Sequence, residues 1–187
     1  MTEDIKKALD ILNEGGTILY PTDTIWGIGC DATNENAVKK VYKIKNRTDT
    51  KSMLILVENY SMLEDYIEQI PSKANEILAR EKKPITIIYP GARNLAENLI
   101  SSDRSIGIRV VKDEFCLKLI HQFKKAIVST SANISGKPAP KNFNEIDPAI
   151  IKGVDYIVKW RQDDYSQSNP SGIIKIGIND EVEVIRK

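Results

Sequence analysis

Residues 15–32 read GGTILYPTDTIWGIGCDA, and the order of signals in this stretch decides between two kinds of α/β protein. Gly27-Ile28-Gly29-Cys30-Asp31-Ala32 spells GxGxxA. A dinucleotide-binding, doubly wound sheet needs those glycines directly after a buried strand and at the mouth of a helix. Here the apolar strand pattern is Thr17–Tyr20, Pro21 breaks it, and Pro21-Thr22-Asp23-Thr24 intervenes. Helical spacing resumes only after Asn34. The glycines therefore read as relief of backbone crowding in a second short strand near 25–30. This stretch therefore argues against a doubly wound dinucleotide-binding sheet.

Working outward, residues 4–14 place Ile5, Ala8, Leu9 and Leu12 on one helical face, and Gly15-Gly16 stops that helix. Residues 34–45 carry Ala37, Val38, Val41 and Ile44 at helical spacing. Met53–Val57, Ile85–Tyr89 and Ile106–Val111 read as strands, with helices near 61–69 and 72–81 between the first two. Glu114–Phe123 is a helix by the same pattern, and Ala126–Val128 a short buried strand. Further strands fall near 155–159, 172–176 and 181–185. Strands and helices mixed in this way predict a single-domain α/β protein over 1–187, a twisted mixed sheet with flanking helices.

The chain has 187 residues and a formal net charge of +1. A charge so near zero is no magnet for nucleic acid, so an anion site must come from local clustering. The start, Met1-Thr2-Glu3-Asp4, lacks the basic patch and apolar run of a secretory signal, and no apolar stretch reaches spanning length. A cytoplasmic protein with no membrane partner is the expectation. Cys30 and Cys116 form no CxxC pair and His121 is the single histidine, which argues against a disulfide framework or a transition-metal centre. His121 lies in an amphipathic helix beside Leu119 and Phe123 and reads as structural. Gly136-Lys137 resembles the end of a phosphate-binding P-loop, but Pro138 replaces the required Ser/Thr.

Three segments carry more polar chemistry than loops need. Pro21-Thr22-Asp23-Thr24 offers two hydroxyls and a carboxylate on a rigid turn. Lys39–Lys51, KKVYKIKNRTDTK, is strongly basic. Its lysines before residue 46 fall largely on the outer face of a helix, where they read as solvated. Arg47 and Lys51 lie beyond the helix, where a guanidinium fork and a mobile ammonium can converge on phosphate. Ser129–Pro140, STSANISGKPAP, leaves the short strand at Val128 through small and hydroxyl residues. Strand ends are where open α/β sheets place ligands, and no GxSxG elbow surrounds its serines.

Taken in order, GGTILYPTDTIWGIGCDA, KIKNRTDTKSMLIL, SIGIRV, STSANISGKPAP and NPSGIIKI…VIRK resemble the threonylcarbamoyl-AMP synthase (YrdC/TsaC-like) family. The resemblance implies a sheet wrapped around a large basic cavity. It also implies a reaction in which L-threonine, bicarbonate and ATP form threonylcarbamoyl-adenylate with release of pyrophosphate, for modification of adenosine next to the anticodon of tRNA. Mg²⁺ would be carried with ATP, and partner proteins of tRNA modification and a tRNA contact are implied. Arg47 and Lys51 match the KxR-xxx-K pattern and would hold phosphates. Ser105, Asn133, Lys141 and Arg186 match ATP-side positions, and Thr24, Arg109, Ser131 and Ser171 match threonine-side positions. No catalytic nucleophile and no protein-held metal are expected.

The chain departs from the family pattern at several places. Trp26 stands where Tyr is usual, Ser52-Met53 where Pro-Leu follows the lysine, and Leu56 where many members carry His. Gly172 stands for Thr and Lys141 for Ser or Thr. These departures keep open a YciO-like paralogue or a double-stranded-RNA-binding protein with different adenylate chemistry. With Lys187 as the last residue, the C-terminal domain of longer relatives is expected to be absent.

Overall fold

The computed structural model describes residues 1–47, 53–166 and 169–187. The first helix, α1 (Thr2–Asn13), buries Ile5, Ala8 and Leu12. It ends where Gly15 takes φ +71°, with Gly15 and Gly16 N–H donating to the carbonyls of Leu12 and Ile11. This is a Schellman turn, whose left-handed residue glycine adopts without a Cβ penalty. Next come β1 (Ile18–Tyr20), β2 (Gly27–Gly29) and α2 (Glu35–Ile44), then β3 (Leu54–Val57), α3 (Leu63–Tyr66) and α4 (Ser72–Arg80). The chain continues through β4 (Ile85–Tyr89), β5 (Ile106–Val110), α5 (Glu114–Phe123) and β6 (Ile127–Ser131), then α6 (Pro148–Gly153), β7 (Tyr156–Ile157), β8 (Gly172–Ile176) and β9 (Val182–Arg186).

Among the described residues the strands join one nine-stranded sheet in the order β7-β1-β2-β6-β3-β5-β4-β8-β9. Parallel pairs (β1/β7, β3/β5, β4/β8) are interspersed among antiparallel ones (β1/β2, β2/β6, β3/β6, β4/β5, β8/β9). The mixed sheet expected from the sequence is thus present. The glycines of GxGxxA lie inside β2: a Cβ on Gly29 would sit 2.7 Å from the Val128 carbonyl oxygen and 2.7 Å from Tyr20 Cε1. Backbone crowding, not a nucleotide turn, explains Gly29, while a Cβ on Gly27 would meet Ser129 Oγ at 3.2 Å.

Side chains alternate across the sheet, so successive residues feed two cores. Ile18, Tyr20, Leu56 and Ile127 pack with α1 and α5 on one face. Leu19, Ile55, Val57 and Val128 join the other face, with Ala37, Val38 and Val41 of α2, Ala74 of α4 and Ile150 of α6. The parity that sends Leu56 and Ile127 to the α1/α5 face continues into Leu54, Ser129 and Ser131 on the same strands. Cross-strand partners extend this row: Gly27 faces Ser131, Leu54 faces Ser129 and Gly107, Gly107 faces Ile88 and Thr86 faces Ile173. Small side chains there leave a hollow on the sheet beside the helices.

Two readings change. The strand expected to end at Val128 continues to Ser131, because Ser129 and Thr130 pair with Leu54 and Ile28. The segment 148–153, not read as helical, forms α6, started by Asp147, whose side chain accepts from Ala149 N–H, and by Pro148 in the first turn.

Candidate functional site

The hollow is a cleft of about 410 Å³, and Thr24, Arg47, Arg109, Ser131, Asn133, Ser171 and Arg186 all line it. Those seven expected site residues come from β5, β6, β9 and four connecting loops, so only the tertiary fold brings them together. Ser105 stands outside this group. It lines an adjoining, more apolar hollow of about 220 Å³ that shares Met53, Leu54 and Ile173 with the cleft. Its hydroxyl donates to Asp103 Oδ1 at 2.6 Å. Lys141 does not line the cleft. Its N–H donates to Glu145 Oε2 at 2.9 Å, and the residue borders a small adjoining hollow with Thr22, Asn142 and Arg161, which shares Thr24, Ile25 and Trp26 with the cleft. Lys51 lies outside the described residues.

Arg109 is almost wholly buried. Its guanidinium donates to Thr24 Oγ1 at 3.1 Å and Thr22 Oγ1 at 3.5 Å, and lies 3.2 Å from Asp23 Oδ1. Burial pushes the Asp23 carboxyl above its ordinary range, and Arg109 pulls it back. Of the Pro21–Thr24 turn's polar groups, Thr24 thus reaches the cleft while Asp23 backs Arg109. The turn is closed from within: Thr24 N–H donates to Thr22 Oγ1 at 3.0 Å, and the two threonine hydroxyls are 2.9 Å apart.

Arg47 is delivered by a second Schellman turn. Asn46 takes φ +49°, and the N–H groups of Asn46 and Arg47 donate to the carbonyls of Lys43 and Tyr42. Burial lowers the Arg47 pKa. Arg186, at the end of β9, donates through Nε and Nη2 to the Ser171 carbonyl at 3.0 and 2.8 Å. Its pKa is lowered by burial and then by the like charge of Arg109. Trp26 forms an aromatic wall, tilted against Phe143 with ring centroids 4.9 Å apart.

Helical position groups Lys45 with the solvated lysines, and the structure corrects this. Lys39, Lys40 and Lys43 are exposed, but Lys45 is only 2% exposed. Its ammonium donates to the carbonyl of Ser131, to the carbonyl of Asn133 at 2.7 Å and to Asn133 Oδ1 at 3.2 Å. Ser131 Oγ also donates to Asn133 Oδ1, and Asn133 Nδ2 donates to the Lys137 carbonyl at 2.6 Å. The available signal was position: Lys45 is the last residue before the left-handed Asn46, where a helix turns back on itself. His121, by contrast, is exposed and pairs with Glu58 at 2.9 Å, away from the cleft.

The mixed sheet and the ordered motifs agree with comparison to known proteins. The Sua5/YciO/YrdC family, described as "Telomere recombination", matches residues 10–187. The chain belongs to this family. Among Sua5/YciO/YrdC relatives, the threonylcarbamoyl-AMP synthase of Photobacterium profundum is 32% identical over 160 residues, 84% of this chain and 86% of the relative. That of Escherichia coli O1:K1 / APEC is 32% identical over 145 residues, 76% of each chain. P. abyssi Sua5 complexed with L-threonine superposes with a TM-score of 0.82 at 26% identity, covering 92% of this chain. The present chain spans about half (50%) of that Sua5 chain. E. coli YciO shares the fold over 100% of this chain and 90% of its own, with a TM-score of 0.86 at 24% identity. Among the described residues, no helix is long and apolar enough to cross a membrane.

Proposed function

We propose that the cleft joins L-threonine, bicarbonate and ATP into threonylcarbamoyl-adenylate and releases pyrophosphate, in service of tRNA adenosine modification. The observation that carries this reading is the convergence of Arg47, Arg109 and Arg186 on one cleft. Burial lowers the pKa of Arg47 and Arg186, and Arg109 and Arg186 repel each other. An anionic ligand relieves both penalties, and a nucleoside triphosphate beside an amino-acid carboxylate supplies the required charge. The names of the relatives favour the same reading.

In this scheme Arg109 holds the threonine carboxylate, with Thr24, Ser131 and Ser171 around the amino acid. Arg47, Asn133 and Arg186 hold the nucleotide phosphates, joined by Lys51, while Ser105 and the adjoining apolar hollow receive the nucleoside. Lys141 does not line the cleft itself but borders the small hollow adjoining it, so this scheme gives it no contact. The threonine amine, having lost its proton, attacks the bicarbonate carbon, and water leaves to give the carbamate. A carbamate oxygen then attacks the α-phosphorus, the bond to the bridging oxygen breaks and pyrophosphate departs. Such steps need placement and charge neutralisation more than a nucleophilic side chain. Among the described residues, no group of three His, Cys, Asp or Glu side chains is placed to hold a metal ion. In this scheme Mg²⁺ arrives with ATP as part of the substrate, MgATP, retaining waters.

The test incubates the purified protein with ATP, L-threonine and labelled bicarbonate. Pyrophosphate release that requires threonine, together with a labelled adenylate, is expected; release independent of threonine, or none, overturns the assignment.

A further inference from the structure

Arg161 does not line the cleft, yet it grips the turn that does. It adopts φ +64°, a left-handed conformation that costs a non-glycine residue energy and persists where contacts enforce it. Those contacts are specific. Nη1 donates to the Thr22 carbonyl at 3.3 Å and to Asp113 Oδ2 at 3.2 Å, and Nε donates to Asp164 Oδ2 at 2.9 Å. Asp113 is itself fixed, because its Oδ1 accepts from Cys116 N–H at 3.0 Å and caps α5. On its other side the same turn meets Arg109 through Thr22 Oγ1, Thr24 Oγ1 and Asp23. The turn Pro21–Thr24 is therefore clamped between two guanidiniums, one facing the cleft and one behind it.

We propose that Arg161 is a positioning residue that sets the threonine subsite from outside the cleft, by holding the Pro21–Thr24 turn against Arg109. This rests on the reading of the cleft given above. Thr24 and Arg109 are the groups assigned to the amino acid, and their spacing depends on where the turn sits. Arg47, on the phosphate side, is delivered by the turn at the end of α2, whereas the bonds of Arg161 go to the Thr22 carbonyl, Asp113 and Asp164. Loss of the clamp should consequently weaken threonine and spare ATP. Lysine in its place keeps the charge but loses the rigid planar fork, in which Nε reaches Asp164 while Nη1 reaches the Thr22 carbonyl and Asp113.

The experiment measures threonine-dependent pyrophosphate release by the wild type, Arg161→Ala and Arg161→Lys, with KM for threonine and for ATP determined separately and Tm recorded. Arg161→Ala should raise the threonine KM roughly tenfold, the scale of a lost charge-assisted hydrogen bond, with the ATP KM unchanged and Arg161→Lys in between. Should the alanine variant not fold, Arg161→Lys and Asp113→Asn carry the same comparison. An unchanged threonine KM in an active enzyme overturns this inference alone. A parallel rise in both KM values with a fallen Tm does the same, since it marks a merely structural role. A wild type without threonine-dependent release overturns the underlying reading and this inference with it.

Discussion

The ammonium of Lys45 donates to the main-chain oxygen of Asn133 at 2.7 Å, across 88 positions of sequence. It reaches the Ser131 carbonyl as well, and the Ser135 N–H returns a bond to the Lys45 carbonyl at 2.8 Å. The end of α2 and the loop after β6 are thereby one unit. Arg47, two residues beyond Lys45, and the Ser131–Asn133 pair are placed relative to each other by this one buried lysine.

Replacing Lys45 by Met keeps the aliphatic volume and removes the donor. The buried oxygens of Ser131 and Asn133 would lose their partner, at a cost of about 2–4 kcal/mol in folding stability. Urea unfolding measures this; an unfolding midpoint equal to the wild type's refutes the anchoring role.

Lys45 also predicts a pH dependence. The three oxygens around Nζ favour the ammonium, but burial opposes it and, with repulsion from Arg47, pushes its pKa down to about 7. In the unfolded chain a lysine keeps its proton to about pH 10.4. Between those values the unfolded state binds more protons, so this group's contribution makes stability rise with pH, and below about pH 7 it adds no slope. Unfolding curves of the wild type and Lys45→Met across this window should differ in slope, with the rise smaller in the variant.

On the phosphate side, Arg47→Ala and Lys51→Ala should each cost about 2–4 kcal/mol of transition-state stabilisation, read as a loss in kcat/KM. Turnover equal to the wild type in both variants removes these residues from the site.

Gly29→Ala tests the reading of GxGxxA as crowding. The new Cβ would lie 2.7 Å from the Val128 carbonyl oxygen, an atom of the central strand β6 that cannot swing aside. A loss of about 1–3 kcal/mol in stability is expected, as for other overpacked sites. Thermal unfolding at the wild-type Tm would show instead that β2 has room.

Local patterns in the sequence settled much of this molecule. The apolar spacing of α1, α2 and α5, the glycine stop at Gly15 and the separation of Gly27 from any helix start all act within a few residues, so chain order alone exposes them. The ordered motifs likewise marked Thr24, Arg47, Arg109, Ser131, Asn133, Ser171 and Arg186, which the fold gathers into one cleft. Only the tertiary structure decided what depends on partners distant in sequence. It carried β6 on to Ser131, because β2 and β3 offer pairing partners there. Asp23 was turned behind Arg109, and Lys141 was placed on a small hollow adjoining the cleft. Lys45 was taken from the apparently solvated face of a helix and buried among oxygens of Ser131 and Asn133. Periodicity reports which face of an element is apolar; it carries no record of which buried charge meets which acceptor, because that pairing is made only when strands far apart in the chain come to lie side by side.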